Sequence, residues 1–140
     1  MKSEKMSPIL ITVDLEDWFQ VENLRPSFPL KSWHSLDFRL ENNTHAILDL
    51  FDRYGVQATF FCLGWNAHRC RRLIQEIQRR GHEVGSHGYD HEMCGKLSIE
   101  SLREDLLRSK DVLESITGMP VLGYRSPNFS ITPALIDHLG

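Results

Sequence analysis

The sequence predicts an α/β fold on a parallel sheet, an incomplete (β/α) barrel of about four β/α units. Three observations carry that prediction. Short apolar runs rich in β-branched and aromatic residues alternate with longer segments whose apolar residues recur at helical spacing. The runs are apolar on both faces, as parallel strands covered by helices are. Acidic, imidazole and guanidinium side chains stand directly after three of them, on the edge where α/β folds keep their sites.

Ile9-Leu10-Ile11-Thr12-Val13 is the first strand, stopping at the acidic cluster Asp14-Leu15-Glu16-Asp17. From Trp18 to Phe38 the chain is interrupted by Pro26 and Pro29 and carries scattered aromatics, the pattern of a long surface excursion whose Trp33, His34 and Phe38 either line a groove or, by default, pin it to the body. Asn43 or Thr44 caps a helix to Tyr54, with Ile47, Leu48, Leu50 and Phe51 inward and Gly55 ending it. Ala58 to Leu63 is a second buried strand. Leu73, Ile74 and Ile77 mark a helix from Arg69 to Arg80, closed by Gly81.

His82 to Ser86 is a third strand, delivering His87-Gly88-Tyr89-Asp90-His91. Ser98 caps the longest helix, to about Thr117, along which Leu102, Leu106, Leu113 and Ile116 form a core stripe. Val121 to Tyr124 is a fourth strand ending at Arg125. Thr132 and Pro133 open a further helix, Thr132 as cap and Pro133 in the first turn.

A chain of 140 residues with 41% hydrophobic content holds one modest domain with a core. Its net charge of -3 gives no electrostatic case for nucleic acid or an anionic membrane as partner. Arg69 to Arg72, Arg79 and Arg80 fit a solvated helix face. Cys62, Cys70 and Cys94 are odd in number and lie in no C-x-x-C pair, so they are expected as reduced thiols. Met1 to Ser7 is polar, and Ile9 to Val13 is too short for a signal segment or a transmembrane span. A cytoplasmic or membrane-peripheral protein is the expectation.

His87 and His91 can turn toward one divalent ion if their loop coils through a single turn. With seven histidines in the chain the spacing alone is weak evidence. A carboxylate from the first loop completes a common catalytic ligand set with open positions. Strand alternation places Asp14 and Glu16 on one face, and Asp17 joins only if the chain turns. A second carboxylate held off the metal could then take a proton from water. Arg125 offers a planar donor fork suited to holding Asp14 as an oriented carboxylate, and Pro127 fixes the backbone beyond it.

The motifs T-V-D, A-T-F-F, S-H-G-Y-D-H and Y-R-S-P-N-F, in that order between Ile9 and Leu139, resemble those of the polysaccharide deacetylases of the NodB-homology group, carbohydrate esterase family 4. The D-L-E-D-W-F opening looks like the subgroup found with exosortase-linked exopolysaccharide loci. The resemblance implies a barrel of the NodB type and hydrolysis of N-acetyl groups on a polysaccharide, with a divalent metal, zinc first among the candidates. It makes Asp14 the general base, His87 and His91 metal ligands, and Arg125 the tether of the base. Where the family often has two adjacent aspartates, Leu15 follows Asp14, so the carboxylate ligand is Glu16 by strand parity or Asp17 as the fallback. Gly88 stands at the usual Ser or Thr, and Asn128 at a position often aromatic, whose backbone N–H helps hold the oxyanion. The family's proton donor to the departing amine is a histidine from a later motif, and His138 is not expected to replace it.

Residues 1 to 140 are therefore expected to be the N-terminal part of one deacetylase domain, binding metal weakly and turning over poorly. The fourth strand would present an open sheet edge, inviting self-association. Two other functions fit parts of the pattern: cyclic amide hydrolysis on the same fold, and a non-catalytic carbohydrate- or metal-binding module.

Overall fold

The computed structural model describes residues 9–139. Strands β1 (Ile11–Leu15), β2 (Ala58–Cys62) and β3 (Glu83–Ser86) form a parallel sheet in that order. Helices α1 (Leu40–Tyr54), α2 (Gly64–Arg69), α3 (Arg71–Arg79), α4 (Ile99–Thr117) and α5 (Pro133–Leu139) complete the framework. The register aligns Val13 with Phe60 and Phe60 with Val84, so each row of side chains points to one face. One set of rows, including Val13, Leu15, Phe60, Cys62 and Val84, packs on Leu48, Leu73, Ile74, Ile77, Leu113 and Ile116 in the main core. The opposite rows carry Thr12, Asp14, Thr59, Phe61 and Glu83. There the Thr59 hydroxyl donates to Glu83 at 2.6 Å, and polar groups rather than aliphatic ones occupy the sheet.

Several boundaries differ from the sequence reading. The first strand is displaced by two residues, Ile9 and Leu10 being exposed, because β1 lies at a sheet edge and pairs only with β2 among the described residues. Helix α1 begins at Leu40, ahead of Asn43 and Thr44. Its first N–H groups are met from a distance by Asp17, whose Oδ2 accepts from Arg39 N at 2.7 Å and Leu40 N at 3.0 Å. Leu50 is exposed, since it lies about 200° around the helix from the buried Leu48. The helix expected from Arg69 to Arg80 is α3, which starts at Arg71 after a break at Cys70; the separate helix before it, α2, is too short to show a period.

The fourth strand is a single parallel bridge from Tyr124 to Ser86 rather than a ladder. Two backbone bonds hold it: Ser86 N donates to Gly123 O at 2.8 Å and Arg125 N to Ser86 O at 2.9 Å. The N-cap at Ser98 is as expected, its side chain accepting from Ser101 N. Thr132 likewise caps α5, accepting from Leu135 N at 3.1 Å. The excursion after β1 is anchored by an aromatic cluster of Phe19, Trp33 and Trp65, joined by Phe28, Phe38 and Tyr89. Among the described residues no helix is long and apolar enough to cross a membrane.

Candidate metal centre

Glu16, His87 and His91 converge just beyond the C-terminal ends of β1 and β3. One potential ligand atom from each lies within 4.8 Å of the others. The two histidine rings are 5.1 Å apart between centroids and both residues are buried. The sequence left Glu16 and Asp17 open as the carboxylate, and the structure brings Glu16, not Asp17, to the imidazoles. Besides meeting α1, Asp17 accepts from Trp18 N at 2.8 Å, so its two oxygens are occupied by backbone amides.

The loop carrying Glu16 is held by buried amides that sequence reasoning missed. Asn66 donates to Leu15 O and to Gln20 Oε1, both at 2.8 Å; Gln20 donates back to Asn66 Oδ1 at 2.8 Å, and Asp17 N donates to Gln20 Oε1 at 2.7 Å. Each buried polar group thus has a partner, and the turn after β1 has one geometry. A Gln and an Asn 46 positions apart in sequence give no local signal of the pairing.

The histidine loop is fixed from all sides. Gly64 N and Trp65 N, at the start of α2, donate to Gly88 O at 2.9 Å and Tyr89 O at 2.8 Å. Ser109 donates to Gly88 O, Arg25 Nη1 to Asp90 O at 3.1 Å, and the Asp105 carboxylate accepts from Tyr89 N. Gly88 has φ +79, and a Cβ there would lie 2.9 Å from Asp105 Oδ2, so this carboxylate occupies the space a larger residue would need. Burial raises the Asp105 pKa to about 6. His91 itself is left-handed, at φ 60, a conformation uncommon outside glycine that turns its ring back toward His87.

His87 Nδ1 lies 2.7 Å from the backbone oxygen of Arg125. A carbonyl can only accept, so Nδ1 carries the proton and Nε2 presents a lone pair. His91 Nε2 approaches Glu16 Oε2 at 3.0 Å, yet Glu16 Oε2 and His91 Nδ1 are both buried without a hydrogen-bond partner. Burial, then the Asp14 charge, pushes Glu16 up to about 7; burial, then His87, pushes His91 down to about 4. A stranded carboxylate oxygen beside two neutral imidazoles is a donor set that a divalent cation fits.

Asp14 and Arg125 stand beside this group. Arg125 Nη1 donates to Asp14 Oδ1 at 2.6 Å and Nη2 to Thr12 Oγ1 at 2.9 Å, with the guanidinium 4.3 Å from the Phe61 ring centroid. Asn128 takes a left-handed conformation, φ 51, which asparagine tolerates better than an aromatic residue does. His138 lies exposed on α5.

The sequence model of the polysaccharide deacetylases matches residues 31–139. The chain belongs to the polysaccharide deacetylase family. His87, His91 and Arg125 fall within the matched stretch, and Asp14 and Glu16 precede it. A peptidoglycan-N-acetylglucosamine deacetylase of Bacillus cereus is 34% identical over 92 residues, covering 66% of this chain and 43% of that protein. The chain thus spans less than half the length of that relative. The solved structure of a candidate polysaccharide deacetylase from Mycobacterium smegmatis superposes with a TM-score of 0.75 at 27% identity, over 93% of this chain and 46% of the other. A family 4 acetyl xylan esterase from Clostridium thermocellum, solved with a cobalt ion, shares the fold at a TM-score of 0.70 and 21% identity, over 92% and 53%. These superpositions bear out the α/β barrel expectation for the part of the domain described.

Proposed function

We propose that this site removes N-acetyl groups from a polysaccharide by hydrolysis, with Glu16, His87 and His91 holding a divalent ion, zinc first among the candidates. The observation that carries the reading is the stranded Glu16 oxygen facing two oriented imidazoles, with a tethered second carboxylate alongside. Such an ion, when bound, supplies Lewis-acid polarisation and makes water acidic near neutral pH. Two nitrogens and one oxygen suit zinc, and also cobalt and iron.

The protein groups divide the remaining work. Arg125 engages one oxygen of Asp14, leaving the other to accept the proton of the attacking water. The Arg125 carbonyl holds His87 with its Nε2 lone pair available, and the αL turn at His91 brings the second ring to the same point. Support for an acetylated amino sugar comes from the relative named a peptidoglycan-N-acetylglucosamine deacetylase, and support for a divalent ion from the cobalt-bound esterase. The resemblance of the D-L-E-D-W-F opening to the exosortase-linked subgroup favours an exopolysaccharide as the polymer.

Acetate release from N-acetylglucosamine oligomers, measured for the zinc-loaded protein, tests the reading. Asp14→Asn should lower the rate by about 10²- to 10⁴-fold with metal content unchanged. Equal rates, or hydrolysis of hydantoin rings in place of the oligomers, would reject it.

A further inference from the structure

A cavity lies behind the histidine loop. Tyr89 and Asp90, between the two histidines in the chain, form one wall. Trp65 and the 3₁₀ turn at Leu30–Ser35 form another, and Arg108 of α4 closes it. Its volume is about 530 Å³, room for one to two sugar units.

Three cations without a carboxylate partner gather around it. Arg25, Arg39, Arg79, Arg80, Lys96, Lys110 and Arg125 each pair with a carboxylate. Of the cations that pair with none among the described residues, Lys31, Arg69 and Arg108 line this one cavity, while Arg53, Arg71, Arg72 and Arg103 lie elsewhere. The chain as a whole carries a net charge of -3, so the concentration runs against its overall balance. His34 and His68 lie on the same walls, and Asp90 is the one acidic residue lining it.

The two arginines are also positioned rather than free. The Arg108 guanidinium lies 3.5 Å from the Tyr89 ring centroid, and Arg69 lies 4.7 Å from Phe38 and 5.6 Å from Trp65. Stacking of this kind leaves the edge N–H groups directed outward, ready for an anion, at reduced entropic cost. Aromatic faces with fixed guanidinium edges form a surface suited to a sugar ring bearing an acidic group.

We propose that this cavity is a subsite for an anionic substituent of the polymer, either a uronate carboxylate or a phosphoryl group, so that the substrate is an acidic polysaccharide. The proposal rests on the deacetylase reading. It places the charged unit beside the acetylated one, because Tyr89 and Asp90 separate the cavity from the histidines by a single loop.

The test compares binding of hyaluronan oligosaccharides, which alternate N-acetylglucosamine with glucuronate, and neutral chitin oligosaccharides of equal length. The chain should bind the anionic series about tenfold more tightly at low salt, with the preference fading as salt rises. Arg69→Gln and Arg108→Gln together should abolish the preference. Arg53→Gln, removing a cation away from the cavity, should leave it intact, and Asp90→Asn should strengthen it. Thermal melts of each variant separate loss of binding from loss of fold. Lys31→Gln, at an exposed side chain, gives a second variant if the arginine pair unfolds the chain, and it should weaken the preference.

Competition by glucuronate but not inorganic phosphate assigns the cations to a uronate. The reverse assigns them to a phosphoryl group, and competition by neither overturns the subsite. Equal affinity for both series, or equal loss with Arg53→Gln, also overturns it. Acetate release without discrimination between the series would remove this inference and leave the deacetylase reading standing. Cation-dependent binding without acetate release would do the opposite.

Discussion

Asp14 and Arg125, 111 positions apart in sequence, meet at 2.6 Å with the Arg125 guanidinium lying against the ring of Phe61. The same arginine orients His87 through its backbone carbonyl. Its side chain therefore serves the base, and its main chain serves the metal centre. The single bridge between Ser86 and Tyr124 is what brings both to the sheet edge.

That division makes the effects of Arg125→Gln separable. Zinc affinity should stay within about twofold, because the carbonyl that holds His87 survives. The rate of acetate release should fall about 30- to 160-fold, as expected when a charge-assisted contact of about 2–3 kcal/mol is lost. Parallel titration and kinetics check it, and a large loss of zinc affinity would show that the side chain supports the metal centre directly.

Metal uptake should be linked to protons through Glu16. Its pKa is raised to about 7, so below that pH the metal-free carboxyl holds a proton that an incoming cation must displace. Apparent affinity should fall about tenfold per pH unit below 7 and level off above it. His91, lowered to about 4, should contribute only near that value. Calorimetry in buffers of different ionisation heat reads the proton release, and a flat affinity from pH 5 to 8 would contradict the assignment of Glu16.

Asp105 should be a stability cost at neutral pH. A carboxyl raised from 3.8 to about 6 binds its proton more tightly in the folded chain. The contribution to stability is therefore fully present below the unfolded value and lost as pH rises through 6. Asp105→Asn should stabilise the chain by about 1–2 kcal/mol at pH 7 and by almost nothing near pH 4, in urea titrations. Gly88→Ala should destabilise at every pH, since both the left-handed backbone and the 2.9 Å approach to Asp105 oppose it.

Asp17 should matter for folding and not for metal. Asp17→Ala strips partners from Trp18, Arg39 and Leu40 amides, at a cost of about 1–2 kcal/mol. Zinc affinity in the folded fraction should be unchanged.

Elements with a strong local signal were legible in the sequence. Helix α4, with its Ser98 cap and apolar stripe, and the strand that delivers the histidine pair followed from periodicity and turn residues. The bounds of α1 did not, because its N-terminus is capped by Asp17 across 22 positions of sequence, a contact no local window contains. Strand parity favoured Glu16 over Asp17 for the place facing the histidines, but the groups that hold the turn after β1, Asn66 and Gln20, left no local signal. The role of Asp105 was hidden in a helix of alternating charges, although Gly88, in place of a hydroxyl residue, was a hint that something else filled that space.

The first and third loops of this chain should meet at one metal ion. Zinc titration of the metal-free chain tests it most directly, compared with Glu16→Gln and His91→Ala. One ion per chain is expected, with affinity about 100-fold weaker in either variant. Substoichiometric binding in the folded chain, or Glu16→Gln binding as tightly as the unaltered protein, would contradict it.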